Sequence, residues 1–372
     1  MKSPKHQQIS KELLRAIADG EYVEGQRLPS EADLVARFAT SRPTVARALQ
    51  TLQQQGVIER RVGSGSYVRR ATAERSDLFA LLIPSLTETD IFGPLCREMS
   101  RAAQSSHHAL LWGDPTDEAH TQEEQAEQLC EQYIARKVSG VFFAPLEFSP
   151  NRDSVNRRIC DAFDRAGIPV VLLDRDIHIF PCRSHYDVVG IDNRRAGFII
   201  TDHLLRLGCR RIAFLGRAGS APSVTLRIAG YKAALASAGI TADPDRVCLG
   251  CPADLRFVKA IIERVHPDAF VCANDDTAAN LMHTLDELGL SIPRDVRIVG
   301  IDDVRYAQLL RVPLTTLRQP CQYIGAAALR AMLERIAQPD VPARDILFEC
   351  KLIVRESCGA NMQGKIISGA FN

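Results

Sequence analysis

The apolar residues between positions 28 and 56 follow a helical period that is interrupted once. Val45, Ala48, Leu49 and Leu52 recur at i, i+3, i+4 and i+7, which predicts a helix with one buried face. Ser30 is a good N-cap for an earlier helix that runs to about Phe38, with acidic residues in its first turn.

Start and stop signals delimit the second helix. Ser41 is in position to cap it, and Pro43 lies just inside its start, where the missing N–H costs nothing. Gly56 ends it. The following segments 57–61 and 66–68 flank a glycine-containing turn, so we expect a two-stranded wing.

Side chains that can donate hydrogen bonds occupy the polar face of the second helix, which carries Arg42, Thr44, Arg47 and Gln50. Such a helix fits the major groove of DNA. Residues 1–70 carry twelve Lys and Arg against seven Asp and Glu, whereas the remaining 302 residues carry 34 against 38. The positive charge is concentrated where phosphate binding would need it.

Order and spacing in this segment resemble the winged helix-turn-helix of the GntR family of bacterial transcription regulators. The matching pattern is Leu28-Pro29-Ser30-Glu31, Ser41-Arg42-x-Thr44-Val45, Gly56 and Gly63-x-Gly65-Ser66-Tyr67-Val68. Ala32 departs from the pattern, because many relatives place a phosphate-contacting side chain there. The resemblance implies that operator DNA is contacted by Ser30, Glu31, Ser41, Arg42, Thr44, Arg47, Arg60, Arg61, Ser64 and Gly65.

Length and composition indicate a larger second part. A chain of 372 residues with 46% hydrophobic content can bury a full core. It has no N-terminal apolar segment of the signal-peptide kind and no run of roughly 20 apolar residues, so we expect a cytoplasmic protein with no membrane association. Its eleven cysteines are scattered and odd in number, which favours reduced thiols. The single C-x-x-C at Cys248 and Cys251 lacks the second pair of a zinc ribbon, so we expect no metal.

Beyond a polar linker the chain alternates short apolar runs with helix-length segments. Uninterrupted apolar strands separated by helices predict an α/β fold of parallel sheets covered on both faces. About ten such units over some 280 residues are too many for one sheet, so two lobes are expected. The clearest runs are 78–84, 109–112, 138–145, 168–174, 188–192, 211–216, 269–273 and 296–302.

Polar pairs follow four of these runs, and ligands of open parallel sheets bind beyond the carboxyl ends of the strands. Carboxylates, amides and an Arg that converge there suit the hydroxyls of a sugar or polyol. The alternative is that each Asp or Asn only caps the next helix. The pairs are Asp174-Arg175, Asp192-Asn193, Asn274-Asp275 and Asp302-Asp303.

Several motifs in 78–358 resemble the effector-binding domain of the LacI/GalR repressor family, which shares its fold with periplasmic sugar-binding proteins. They include Asp192-Asn193-x-x-Ala196-Gly197, Arg227-x-x-Gly230-Tyr231, Ala273-Asn274-Asp275 and Val299-Gly300-x-Asp302-Asp303. The resemblance implies that Arg227 and Asp302 hold the effector. The complete set of effector-binding candidates is Asp90, Phe92, Trp112, Asp174, Arg175, Asp192, Arg227, Asn274 and Asp302. Trp112 is the only tryptophan, and its alternatives are stacking on a sugar ring or packing in the core.

The expected organisation is a winged helix-turn-helix at 1–70, a linker at 71–77, a two-lobed periplasmic-binding-protein-like domain at 78–358 and a disordered tail at 359–372. The combination resembles repressors of the arabinose type and implies a homodimeric, sugar-responsive repressor that binds double-stranded operator DNA. A purine-like effector is the alternative.

Two other classes of function were weighed. GntR-type domains also occur fused to pyridoxal-phosphate enzymes, but Lys232, Lys259 and Lys351 stand in no recognisable cofactor motif, so we expect no cofactor and no enzyme. A solute-uptake protein would need an export signal.

Overall fold

The computed structural model describes residues 5–18, 21–23, 25–54, 57–61, 64–68, 77–83, 91–113 and 121–360. The chain divides into two compact units, Met1–Ser76 and Asp77–Asn372. Most of the predicted linker and of the C-terminal tail lies outside the described residues. In the described part, no helix is both long and apolar enough to cross a lipid bilayer.

The described residues of the first unit form three helices and a two-stranded antiparallel sheet. Ile58 pairs with Val68 and Arg61 with Gly65, which forms the predicted wing. The elements are α1 (Lys5–Ala18), α2 (Glu31–Phe38), α3 (Arg42–Gln54), β1 (Ile58–Arg61) and β2 (Gly65–Val68).

Local capping and one apolar stripe fix the two central helices. The Ser30 hydroxyl accepts a hydrogen bond from the backbone N–H of Asp33, and the Asp33 carboxylate accepts one from the backbone N–H of Ser30. This capping box starts α2 where the sequence predicts. The four apolar residues at helical spacing in α3 are at most 1% exposed, so the predicted buried face is confirmed.

The first lobe of the second unit is built on a six-stranded sheet in the order β13-β7-β6-β5-β3-β4, and all its neighbouring strands are parallel. Its elements up to the first change of lobe are β3 (Leu78–Leu82), α4 (Phe92–Ser105), β4 (Ala109–Trp112), α5 (Gln122–Ala135), β5 (Gly140–Phe143), α6 (Arg152–Arg165), β6 (Val170–Leu173) and β7 (Asp187–Ile191).

The second lobe contains a six-stranded sheet in the order β14-β12-β11-β10-β8-β9. Its first elements are α7 (Asn193–Arg206), β8 (Ile212–Gly216), α8 (Pro222–Ser237), β9 (Val247–Leu249), α9 (Leu255–Val265), β10 (Ala269–Cys272), α10 (Asp275–Glu287), β11 (Arg297–Asp302) and β12 (Thr315–Arg318). The chain then returns to the first lobe with α11 (Cys321–Ala337) and β13 (Asp345–Phe348), and ends in the second with β14 (Lys351–Ile353).

All eight predicted apolar runs contain a strand, and the two-lobed parallel arrangement is confirmed. Four strands were not predicted: β9, β12, β13 and β14. Three of them are edge strands, and β14 runs antiparallel to β12. Edge strands are short and partly exposed, as in the alternating exposure of β13, so they lack the continuous apolar run that marks a central strand.

Candidate DNA-binding face and candidate effector cleft

The exposed side of α3 presents the residues predicted to meet DNA. Arg42 stands in the first turn with its side chain 80% exposed, and Arg47 is exposed one turn later. The Ser41 and Thr44 hydroxyls lie 2.8 Å apart at the start of the helix. Ala32, the departure from the family pattern, is exposed on α2 and offers no polar side chain.

Glu31 links the predicted contacts on three elements. Its carboxylate accepts a hydrogen bond from Arg42 Nε at 3.2 Å and another from the guanidinium of Arg60 on the wing. One carboxylate on α2 therefore orients an arginine of α3 and an arginine of β1, a relation that the sequence pattern does not reveal.

The wing is shaped by a glycine. Gly65 has φ +118°, and a Cβ there would lie 2.7 Å from Arg27 Nε, so no larger residue fits without displacement. The Ser64 hydroxyl lies 2.6 Å from the Tyr67 hydroxyl. Arg61 belongs to β1, but its side chain lies outside the described residues, as does Gly63.

The second unit has a cleft between its lobes, with about 960 Å³ of space not filled by atoms, open solvent at its mouth included. Residues that follow strands β5, β6, β8, β10 and β11 at their carboxyl ends line it, as expected for open parallel sheets. The first lobe contributes Phe92, Gln122, Glu147, Phe148, Asp174 and Arg175, and the second contributes Arg217, Ser223, Arg227, Asn274, Asp302 and Tyr306.

Arg175 is the buried centre of the first lobe's wall. Its Nε donates to the carbonyl oxygen of Pro145 at 2.8 Å, its Nη1 to Asp174 Oδ2 at 2.9 Å, and its Nη2 lies 3.4 Å from Glu147 Oε1. Burial opposes the charge on this guanidinium, but the carboxylates of Glu147 and Asp174 outweigh it and raise the pKa of Arg175. The other carboxylate oxygen of Asp174 is buried and has no hydrogen-bond partner among the described residues, so it can accept a hydrogen bond from a ligand.

Arg227 plays the corresponding part in the second lobe. Its Nε donates to Asn193 Oδ1 at 2.8 Å and its Nη1 to the carbonyl oxygen of Ala273 at 2.5 Å, while Nη2 lies 3.9 Å from Asp302 Oδ1. Asp302 Oδ1 also accepts from Gln319 Nε2 at 2.7 Å. These contacts hold the guanidinium and the carboxylate side by side at the cleft wall.

Burial raises the pKa of Asp302 above its ordinary value, although the neighbouring Arg227 opposes the shift and the nearby Asp275 adds to it. The backbone at Asp302 has φ +131°, and Asp174 has φ +68°. Both acids thus occupy backbone conformations that side chains rarely adopt, and such strain is common at binding sites.

Six of the nine predicted effector residues line the cleft: Phe92, Asp174, Arg175, Arg227, Asn274 and Asp302. Asn274 also caps α10 by accepting from the backbone N–H of Thr277 at 2.9 Å, so the capping alternative is confirmed for this residue, which lines the cleft as well. Their contact with an effector stays a prediction.

Of the other three, the structure places Asp192 and Trp112 elsewhere. Asp192 is absent from the residues that line the cleft, and its carboxylate caps α7 by accepting from the backbone N–H of Arg195. Trp112 is half exposed on β4, the edge strand of its sheet, and is neither a described cleft residue nor part of the core. Asp90 lies outside the described residues.

Glu147 and Arg217 line the cleft but were not predicted. Glu147 follows β5 and Arg217 directly follows β8, so the rule applied to the other four strand ends would have found both. Gln122 and Ser223 stand near the starts of α5 and α8, where a polar residue gives no distinct signal in the sequence.

The lysines weighed as cofactor anchors do not lie in a site of this kind. Lys232, Lys259 and Lys351 are all exposed, and Lys259 faces Glu263 one turn along α9. A Schiff-base lysine needs a partly desolvated pocket instead.

Comparisons with known families match both units. The model of bacterial regulatory proteins of the gntR family matches residues 5–68, and the model of the periplasmic binding protein-like domain matches residues 201–358. The chain joins a gntR-type domain to a periplasmic-binding-protein-like domain. The first match covers the capped helices and the wing, and the second covers most of the lobe that carries Arg227, Asn274 and Asp302.

One curated relative matches almost the whole chain. The arabinose metabolism transcriptional repressor of Geobacillus stearothermophilus is 28% identical over 365 residues, which cover 95% of this chain and 97% of that protein.

Solved structures extend the likeness to the fold. The transcription regulator GntR from Chromobacterium violaceum has 28% sequence identity and a TM-score of 0.58, covering 76% of this chain and 98% of its own. A LacI family transcriptional regulator from Enterococcus faecium with bound ribose has 24% identity and a TM-score of 0.60, covering 75% and 98%.

Proposed function

We propose that this chain is a DNA-binding transcriptional repressor whose operator affinity is controlled by a small sugar bound between the lobes of the periplasmic-binding-protein-like domain. The observation that carries the proposal is the cleft, in which Asp174 with Arg175 and Asp302 with Arg227 face one space from opposite lobes. The gntR-type domain supplies the helix that contacts DNA, and such a regulator works in the cytoplasm, where the DNA is.

The charges in the cleft favour a neutral polyhydroxyl ligand. Three arginines and four acids line it, with Asp276 as the fourth acid, so the formal charges nearly cancel. Fixed carboxylates accept hydrogen bonds from sugar hydroxyls and the guanidinium groups donate to them, while a strongly anionic ligand would meet the acids unfavourably. An arabinose metabolism repressor among the relatives and a ribose-bound regulator among the structures make pentoses the first candidates.

Repression, rather than enzymatic catalysis, fits the two domains. The described lysines that a pyridoxal-phosphate enzyme would need are exposed, and the relative that matches almost the whole chain is a transcriptional repressor.

The regulator should act as a homodimer. The edges of its sheets at β4 and β9 expose Trp112 and Leu249, and Leu255 is exposed next to β9. The opposite edge of the first sheet also exposes Leu347, but it is flanked by the ion pairs Arg183–Asp345 and Arg195–Glu349, and charges of this kind keep an edge strand from pairing. We assign the apolar edges at β4 and β9 to contact with a second copy, which would place two gntR-type domains on one pseudo-palindromic operator.

A thermal-shift experiment tests the sugar proposal. The full-length protein is melted with L-arabinose, D-ribose, D-glucose, guanine or no addition. A ligand at a hundred times its dissociation constant adds about 2.7 kcal/mol of stability, which is a clear rise in melting temperature. A rise with one pentose in the wild type and none in Asp174→Asn supports the proposal. The proposal is contradicted if only guanine raises the melting temperature, or if no sugar raises it.

A further inference from the structure

The two lobes are connected by contacts that involve three cleft-lining residues, Glu147, Phe148 and Arg217, and one residue that does not line the cleft, Arg152. Phe148, after β5 in the first lobe, donates its backbone N–H to the carbonyl oxygen of Gly219 in the second lobe at 2.9 Å. Arg217 stacks over the ring of Phe148, with its guanidinium carbon 4.2 Å from the ring centre. Glu147 Oε2 accepts the backbone N–H of Ala221 at 3.1 Å.

Arg152 at the start of α6 is the strongest element of this connection. Its Nη1 donates to the carbonyl oxygens of both Gly219 and Ser220, the latter at 2.8 Å, and its side chain is 18% exposed. Both acceptors belong to the turn between β8 and α8, and Gly219 has φ +75° there. The arginine of one lobe thus grips the main chain of the other.

We propose that Glu147, Phe148 and Arg152, together with the 217–221 turn, form a latch that holds the cleft closed and must open for a ligand to enter. Covalent connection between the lobes is limited to the three places where the chain changes lobe, after β7, β12 and β13. The latch adds a non-covalent connection, and it consists of main-chain and charge-assisted hydrogen bonds, which break and reform as a unit.

The position of Glu147 connects the latch to the ligand site. Its Oε1 lies 3.4 Å from Arg175 Nη2 in the cleft wall, while its Oε2 holds the first residues of the second lobe's α8. A ligand that draws Arg175 towards itself changes the partner of Glu147, and thereby the strength of the latch. Loading of the cleft and closure of its mouth are therefore coupled through one carboxylate.

Hydrogen exchange on the full chain without any ligand tests the latch. The variant is Arg152→Gln, and the matched control is Arg157→Gln, an exposed arginine on the same helix that bonds only within α6 among its described contacts. We expect the backbone amides of Phe148 and Ala221 to exchange about tenfold faster in Arg152→Gln, because a hydrogen bond to a charged group of this kind is lost. The control should exchange at the wild-type rate.

Two outcomes overturn the proposal. One is an unchanged exchange rate at both amides in Arg152→Gln, and the other is a wild type in which these amides already exchange as fast as unprotected ones. Amides in β6 and α7 serve as an internal check on folding, since they should keep wild-type protection in both variants. The latch rests on the proposed ligand cleft, but this measurement uses no sugar, so its failure is distinguishable from failure of the sugar proposal.

Discussion

Arg42 was predicted from the sequence to contact DNA, and the structure shows how its side chain is oriented. It occupies the first turn of α3, and among the described residues its one hydrogen-bond partner is Glu31, which accepts from Nε. The two terminal nitrogens of the guanidinium remain available for a bidentate contact with a base edge, which is worth about 1 to 3 kcal/mol.

We therefore predict that Arg42→Ala lowers operator affinity by about 10- to 100-fold, since each 1.4 kcal/mol is a factor of ten. The measurement is a gel-shift titration on an operator selected from a randomised duplex pool. Arg15→Ala, at an exposed position in the last turn of α1, is the control. Equal affinity and sequence preference for Arg42→Ala and wild type would remove Arg42 from the DNA contact.

His203 on α7 gives a residue-scale prediction about pH. Its Nε2 is buried and has no hydrogen-bond partner among the described residues. Burial lowers the pKa of His203 from 6.5 to about 4; the Asp202 carboxylate opposes this shift, and the Arg206 and Arg297 guanidinium groups add to it. The unfolded chain therefore binds a proton near pH 6.5, whereas the folded chain binds it only near pH 4. The contribution of neutral His203 to the free energy of unfolding is therefore fully present above pH 6.5 and is lost as the pH falls towards 4.

The predicted loss from this histidine is about 3 kcal/mol between pH 7 and pH 4. It is measured as the difference in urea unfolding free energy between wild type and His203→Gln at each pH. The difference should shift in favour of the variant as the pH falls. A difference that stays constant across this range would contradict the assigned burial.

Site residues were predictable from the sequence where they stand at the end of an apolar strand. They were not predictable where only tertiary contacts bring them to the site. Asp174, Asn274 and Asp302 follow apolar strands, and the cleft contains all three. Trp112 also stands at a strand end, as the last residue of β4. However, β4 is an edge strand, and sheet order depends on long-range pairing that the local sequence does not encode. The role of Glu31 as a shared partner of Arg42 and Arg60 depends on tertiary contacts in the same way.

At the scale of elements, the pair α7 and α8 positions Arg227 through two glycines. A Cβ at Gly197 would overlap the carbonyl oxygen of Arg227, and a Cβ at Gly230 would overlap that of Arg194. The two helices therefore touch through their main chains. Residues 196–197 and 230–231 belong to the motifs that resemble the LacI/GalR family. The structure explains why glycine is needed in each motif, because the two helices pack too closely for a Cβ atom.

Gly197→Ala should consequently push the helices apart and lower the melting temperature of the periplasmic-binding-protein-like domain. Overpacking of this kind costs about 1 to 3 kcal/mol or more. The control is Gly93→Ala, because a Cβ at that helical position meets no atom within 4 Å. Calorimetry should show a lower transition for Gly197→Ala and an equal or higher one for Gly93→Ala. Equal transitions in all three proteins would refute main-chain contact between α7 and α8.

Most central strands were predictable, whereas three of the four edge strands of the two large sheets were not, and the pattern of burial explains the difference. The strands that begin at Gly140, Val170 and Ala269 are buried throughout, so each is a continuous apolar run. By contrast β13 alternates between exposed and partly buried positions, and its pairing with β7 joins residues about 157 positions apart in the chain. No local pattern identifies such a partner.

At the scale of the whole molecule, the assigned dimer surface makes a prediction about assembly. Leu249→Glu places a charge on the apolar edge at β9 and should shift the protein towards the monomer, as measured by sedimentation velocity. Leu309→Glu is the control, since Leu309 is 73% exposed and lies in the loop between β11 and β12, away from that edge. A dimer that withstands both changes would place the interface elsewhere, and a monomeric wild type would exclude the proposed dimer.

Control of DNA binding by the cleft is the central claim, and operator affinity with and without sugar tests it most directly. Gel-shift titrations compare wild type, Arg227→Ala and Arg227→Lys, with and without the pentose that raises the melting temperature most. A ligand shifts operator affinity only through its different affinities for the two states, typically by about 1 to 3 kcal/mol. We predict that saturating sugar weakens operator binding of the wild type by about five- to 150-fold. Both variants, which lose the guanidinium fork, should bind operator normally and ignore the sugar. A response of wild-type size in both variants, or no response in the wild type, would contradict the account.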